Sequence, residues 1–209
     1  MKNTDFYIYD GWDEVQINPE DKKYIHVYEN FISDEDLLKI GDFCQTAKCG
    51  ESNPLVPIES ISTLIDGYES EITKILRKYR NLIYPLLEKT YDCKINPDSG
   101  YSEIIDIARY IPGTALNEHA DKVCESWRDL SNVLYFNDAY EGGEIYFSQY
   151  GIEYKPSAGT LLIFPAGANF SHGVREIKSG HRLATSTFWV VEKWNGMNYA
   201  DWTSYRNSV

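Results

Sequence analysis

Asn117-Glu118-His119-Ala120-Asp121, taken with Ser171-His172-Gly173 and Gly180-His181-Arg182 downstream, is the stretch around which this chain is organised. In extended backbone, residues i and i+2 project from one face, so His119 and Asp121 can bring an imidazole and a carboxylate to one point. A second imidazole from His172, brought alongside by folding, would complete two histidines and a carboxylate on one face of an octahedron. That donor set suits non-haem Fe(II) and leaves three positions open. Ten residues after His172, Arg182 offers a planar fork suited to a small molecule's carboxylate. Alternation turns His181 away from the Arg182 face and Glu118 away from the Asp121 face, so neither is expected at the metal.

The chain changes character at Ser102. Beyond it come short β-runs separated by Gly, Pro and Asn/Asp turns, with strands expected over 103–111, 131–136, 143–147, 151–154, 160–164, 171–176 and 183–191. Alternation along the last of these puts Phe188 on the Arg182 face and Trp189 on the other. Gly142-Gly143 is expected to form a tight hairpin, structural because no helix follows to bind phosphate.

Before Ser102 the pattern is mainly helical. Residues 1–24 mix aromatics with acids as an arm or irregular strand, and 24–28 alternates as a strand in which His26 has no ligand partner nearby. Ser33-Asp34-Glu35-Asp36 is a capping box opening a helix over 34–47. Residues 48–57, with Gly50, Pro54 and Pro57, form a connector or a lid over the site. The spacing of Tyr68, Ile72, Ile75, Tyr79, Leu82, Ile83 and Leu86 predicts a long scaffold helix over 61–91, kinked or broken at Pro85. Helices followed by a run of strands give an α+β fold with a sandwich or barrel. The 209 residues are expected to form one domain: a helical support region (1–100), a β core (101–192) and an aromatic tail docked on the body (193–209).

Thirty-two acidic against twenty basic residues give a formal charge of −12, which repels phosphate backbones and anionic lipid and favours a neutral or basic peptide as partner. Cys44, Cys49, Cys93 and Cys124 form no CxxC pair and are expected as reduced thiols. Neither a signal peptide nor a membrane-spanning run is visible, so a soluble, cytoplasmic protein is expected.

Five elements between residues 105 and 190 carry a family resemblance. Ala108-Arg109-Tyr110-Ile111-Pro112-Gly113 leads into His119-Ala120-Asp121. Leu134-Tyr135-Phe136-Asn137-Asp138, Glu141-Gly142-Gly143-Glu144-Ile145-Tyr146-Phe147 and Pro156-Ser157-Ala158-Gly159-Thr160-Leu161-Leu162-Ile163-Phe164 follow, in that order, before His172. Together they resemble the prolyl 4-hydroxylase-like branch of the Fe(II)/2-oxoglutarate-dependent dioxygenases. The resemblance implies a double-stranded β-helix, or jelly roll, with N-terminal supporting helices. It implies Fe(II) on His119, Asp121 and His172, with 2-oxoglutarate as co-substrate and ascorbate as reductant. By the same likeness Arg182 and Tyr135 hold the far carboxylate of 2-oxoglutarate, Tyr110 reaches it near the metal, and Arg128 and Trp127 lie where relatives meet substrate. A carboxylate at Asp121 implies hydroxylation, since halogenating relatives carry a small residue there. Arginine at 182 is similar to the oxygen-sensing and microbial members. The implied reaction is hydroxylation of a proline in a peptide or protein, with 2-oxoglutarate decarboxylated to succinate. Alternatives are the same chemistry on a free amino acid or small molecule, and a non-catalytic metal-binding jelly roll. Phe188, where nucleic-acid demethylases carry a second arginine, argues against that branch.

Overall fold

A computed structural model describes residues 19–49, 58–62, 70–96, 106–124 and 128–195. The expected arm before Pro19, most of the 48–57 segment, Tyr68, Trp127 and the tail after Asn195 lie outside the described residues. No described helix is long and apolar enough to cross a membrane.

In chain order the strands are β1 (His26–Tyr28), β2 (Ile58–Ser62), β3 (Cys93–Ile95), β4 (Asp106–Tyr110), β5 (Leu116–His119), β6 (Leu130–Tyr135), β7 (Tyr140–Gly142), β8 (Ile145–Phe147), β9 (Ile152–Tyr154), β10 (Leu161–Pro165), β11 (His172–Val174), β12 (Ile177–Gly180), β13 (Arg182–Trp189) and β14 (Val191–Trp194). The α-helices are α1 (Asp34–Thr46), α2 (Glu71–Tyr91) and the single turn α3 (Asp121–Cys124). Among the described residues the larger sheet has the order β1-β10-β6-β13-β4-β2, and a second has the order β5-β11-β8-β9. The strand pairings within both are antiparallel. The fold is the jelly roll expected, and α1 and α2 brace it from outside.

The larger sheet is apolar on both faces because both are covered. Leu161, Ile163, Leu134 and Trp189 pack with Ile40, Leu76, Tyr79, Ile83 and Leu87 of the helices. Leu162, Phe164, Val133, Tyr135 and Ala184 point the other way, into the barrel with Ile145, Phe147 and Phe170. This explains why Leu161-Leu162-Ile163-Phe164 reads as an unbroken apolar run rather than an alternation.

Three expectations need correction. The scaffold helix begins at Glu71 rather than near residue 61: Ile61 sits fully buried in β2, which pairs with β4. Ser70 caps α2, its hydroxyl accepting the Thr73 N–H, and the helix continues unbroken through Pro85. The expected strand over 24–28 is β1, and with β2 it forms the edges of the main sheet. Gly142-Gly143 does not join two paired strands. Strand β7 pairs with β12 while β8 pairs with β11 and β9, so the turn carries the chain from one sheet to another. Both glycines take positive φ, and a Cβ on Gly142 would lie 1.9 Å from the Glu176 carbonyl oxygen.

The capping box at α1 is only half formed. Ser33 Oγ accepts the Asp36 N–H, but the Ser33 N–H goes to the Tyr79 hydroxyl of α2. Asp36 is thereby free to tie the helices together: its Oδ2 accepts from Tyr79 Oη at 2.6 Å and Lys78 Nζ at 2.7 Å. Lys78, then Tyr79, hold this carboxyl at about 2, below the ordinary carboxylate range. A folded-state pKa below the unfolded one stabilises above the unfolded value, and that contribution disappears as pH falls through the folded value. Asp36→Asn is therefore expected to cost about 1–2 kcal/mol at neutral pH, since Lys78 is half exposed and its pairing screened. Urea titrations at pH 7, 4 and 2.5 should show the gap from the wild type closing between about pH 4 and pH 2. A gap that does not change with pH would show that the carboxylate charge is not what joins α1 to α2.

Candidate active site

His119 ends β5, and its partner across the antiparallel pair is His172, the first residue of β11. Strand pairing thus sets the two imidazoles side by side, with ring centroids 4.7 Å apart. Asp121 arrives differently from the extended geometry expected: the strand stops at His119 and Asp121 opens the turn α3. The bend still delivers its carboxylate, with Oδ1 3.7 Å from His119 Nε2 and Oδ2 3.9 Å from His172 Nε2. Each carboxylate oxygen faces one imidazole. One ligand atom from each residue lies within 4.8 Å of the other two, a set able to hold a metal ion.

Both histidines are prepared in the same way. His119 Nδ1 lies 2.8 Å from the Asn117 carbonyl, and His172 Nδ1 lies 3.0 Å from the Phe170 carbonyl. A carbonyl can only accept, so each Nδ1 carries the hydrogen and each Nε2 keeps its lone pair for a metal. These i−2 backbone partners could not be seen in the sequence, because any residue type supplies a carbonyl. Burial lowers the pKa of His172, favouring the neutral ring that ligates. Phe147 and Phe164 pack around it with centroids at 5.5 and 4.7 Å. A Cβ at Gly173, next to it, would come within 2.3 Å of the Tyr146 hydroxyl, so the Tyr146 ring would have to move.

A cavity of ≈ 210 Å³ connects this cluster to Arg182. Leu116, Val133, Ile145 and Val174 supply apolar walls, and Tyr110, Arg128, Ser186 and Phe188 complete the lining. Arg182 pairs with Tyr110 at the start of β13 and is 2% exposed. Its guanidinium lies over the Tyr110 ring at 4.4 Å and the Tyr135 ring at 5.0 Å. Nε and Nη1 are buried without a protein hydrogen-bond partner, and no described carboxylate pairs with them. A buried cation with two nitrogens that no protein group satisfies fits an anionic ligand, since leaving them unpaired is costly. The donors therefore fit both groups: two imidazoles and a carboxylate for Fe(II), and a buried guanidinium for the carboxylate of 2-oxoglutarate.

The remaining expected residues divide. Phe188 faces the cavity with Arg128 stacked on it at 3.7 Å, while Trp189 is fully buried in the helix-facing core. Arg128 Nη1 donates to the Asp121 carbonyl. Tyr110 lines the cavity, whereas Tyr135 is buried behind Arg182, its hydroxyl without a partner and pushed up to about 12 by burial. His181 and Glu118 are exposed, as alternation required, and Glu118 accepts from Ser148. His26 is half-buried on edge strand β1, its ring set edge-on to Tyr91. Cys44, Cys49 and Cys93 are free thiols. A buried pair that the sequence reading missed fixes both ends of the segment after Asp121. Lys122 Nζ donates to Asp129 Oδ1 at 3.0 Å, and Asp129 Oδ2 accepts the Val191 N–H.

Residues 105–191 match the 2OG-Fe(II) oxygenase superfamily. Over 150 residues the chain is 24% identical to a protein of Acanthamoeba polyphaga mimivirus provisionally named a prolyl 4-hydroxylase, covering 64% of this chain and 62% of that protein. Over 72 residues it is 32% identical to prolyl 3-hydroxylase 2 of Rattus norvegicus, covering 32% of this chain and 10% of that one. This chain thus spans less than two thirds of either relative. Among solved structures, a viral collagen prolyl hydroxylase from Paramecium Bursaria Chlorella virus-1, in its 2OG complex, superposes with a TM-score of 0.60 at 18% identity, covering 83% of this chain and 97% of that one. A prolyl hydroxylase from Trichoplax adhaerens, bound to a hypoxia-inducible-factor peptide, gives 0.61 at 14% identity, covering 81% and 84%. These structures share the jelly roll found here. The matched segment contains all three members of the His119, Asp121, His172 cluster and Arg182, so the site lies wholly within the part of the chain that is similar to the 2OG-Fe(II) oxygenase superfamily.

Proposed function

We propose that this protein hydroxylates a proline in a peptide or protein, decarboxylating 2-oxoglutarate to succinate, with Fe(II) held by His119, Asp121 and His172. The observation that carries the reading is Arg182, a buried guanidinium with two unpartnered nitrogens that lines the same cavity as those three ligands. When bound, the iron with 2-oxoglutarate and dioxygen supplies the oxidising power to attack an unactivated C–H bond.

The chain's own work is binding, orientation and exclusion. Arg182 grips the far carboxylate of 2-oxoglutarate, with the Tyr135 hydroxyl beside it, and Tyr110 covers the guanidinium from the cavity side. Leu116, Val133, Ile145 and Val174 keep water away from the co-substrate's methylene groups. The Asn117 and Phe170 carbonyls hold both imidazole rings in the ligating tautomer. Phe188 and Arg128 flank the mouth where substrate enters, and ascorbate keeps the metal ferrous. A peptide substrate is supported by the prolyl hydroxylases among the relatives and by a net charge of −12, which favours a neutral or basic peptide.

The test is succinate release by the Fe(II)-loaded protein against proline-containing peptides and free amino acids. Stimulation by peptides, at least tenfold over the uncoupled rate, is the expected result. Stimulation by free amino acids alone would move the substrate to a small molecule, and no turnover with either would leave a metal-binding jelly roll.

A further inference from the structure

We infer that Tyr140 is a further co-substrate-binding residue, its hydroxyl acting with Arg182 on the far carboxylate of 2-oxoglutarate; this rests on the proposed function. Tyr140 begins β7, where it pairs with Gly180 of β12, two residues before Arg182. It belongs to the same buried cluster as Tyr110 and Tyr135, the rings that cover the guanidinium. Its side chain is 6% exposed, and its hydroxyl is buried with no protein partner. Burial raises the phenol's pKa, and the Arg182 charge opposes that rise, so the two groups act on each other.

Nε and Nη1 of Arg182 and the hydroxyls of Tyr135 and Tyr140 are thus four buried polar atoms without protein partners in one corner of the barrel. The guanidinium acts on both the Tyr135 and Tyr140 hydroxyls, yet neither hydroxyl meets it in full hydrogen-bond geometry. A carboxylate has acceptor sites for all four groups and no hydrogen of its own to place, so it satisfies the corner in a way that a further donor could not. The guanidinium supplies the charge and the hydroxyls supply direction.

The surroundings fix Tyr140 in place. Lys155 Nζ lies 3.9 Å from the Tyr140 ring centroid and donates to the carbonyls of Tyr140 and Gly142, both at 2.7 Å. Gly180 and Gly143 allow the close packing, since a Cβ at either would come within 2.9 Å of a Tyr140 atom. Lys155 over the ring and Gly143 at its edge hold the ring, so its hydroxyl is preorganised rather than recruited.

Tyr140→Phe removes only the hydroxyl and keeps the packed ring. Titration of 2-oxoglutarate onto Mn(II)-loaded protein is expected to show its Kd raised about tenfold, as for loss of one hydrogen bond to a charged group. The Mn(II) affinity measured separately should not move. Oxalate, which chelates the metal but lacks the far carboxylate, should bind wild type and variant alike. An unchanged 2-oxoglutarate Kd, or an equal loss for oxalate, would make Tyr140 a packing residue only. Arg182→Met is titrated in parallel: if it alone weakens 2-oxoglutarate binding, the Tyr140 inference fails and the proposed function stands. If neither variant does, the co-substrate assignment itself fails.

Discussion

His119→Ala and Asp121→Ala each reduce succinate formation to the background of metal-free protein, a loss of at least about a thousandfold, roughly 4 kcal/mol of barrier. Metal binding should fall with it in Mn(II) titrations, because the remaining two donors no longer define one face of an octahedron. The fold should survive. The His119 side chain is partly exposed at the end of β5, and Asp121 sits in the turn after it, away from the helix-braced core. Far-UV circular dichroism and the urea midpoint of metal-free protein should therefore stay near wild type. His172→Ala should also stop turnover, with a larger stability cost, because His172 is buried against Phe147 and Phe164. Turnover at the wild-type level in His119→Ala or Asp121→Ala would remove the metal assignment.

Two kinds of information made this site legible in the sequence, and a third kind was missing. Residue type with short spacing gave His119, Asp121, His172 and Arg182, because few side chains can do their chemistry. Alternation along β13 separated Phe188 from Trp189 and His181 from Arg182, because a strand buried on both faces still keeps its pleat. Missing was anything that depends on which strands pair. Strands β5, β7 and β12 carry glutamates, lysine, serine and glycine rather than β-branched runs, and they form because partners present a ladder to them. For the same reason Tyr140 passed as one aromatic among many. It gains meaning only when β7 pairs with β12 and brings it beside Arg182. The early start given to the scaffold helix is the opposite error. Ile61 fits a helical stripe extended backwards from Tyr68, yet Ser70 is the cap, and Ile58–Ser62 is a β edge completing the main sheet.

Arg182→Met separates the co-substrate anchor from the metal. A bidentate guanidinium–carboxylate contact is two charge-assisted hydrogen bonds of about 1.5–3 kcal/mol each, so its loss raises the 2-oxoglutarate KM at least about a hundredfold. Affinity for Mn(II) should stay within about a factor of two, since the three ligands lie across the cavity and keep their partners. Stability supplies an independent readout with the opposite sign. In the protein without co-substrate, Arg182 is a buried cation with unpartnered nitrogens, and an apolar side chain of similar length removes that desolvation cost. The variant should therefore unfold at the same temperature as wild type or higher when 2-oxoglutarate is absent. Adding 2-oxoglutarate at about a hundred times its wild-type Kd stabilises the wild type by about 2.7 kcal/mol and should stabilise the variant by no more than about 0.4 kcal/mol. A stabilisation that survives the loss of the guanidinium would mean the far carboxylate is held elsewhere, and the buried charge at the base of the cavity would need another ligand.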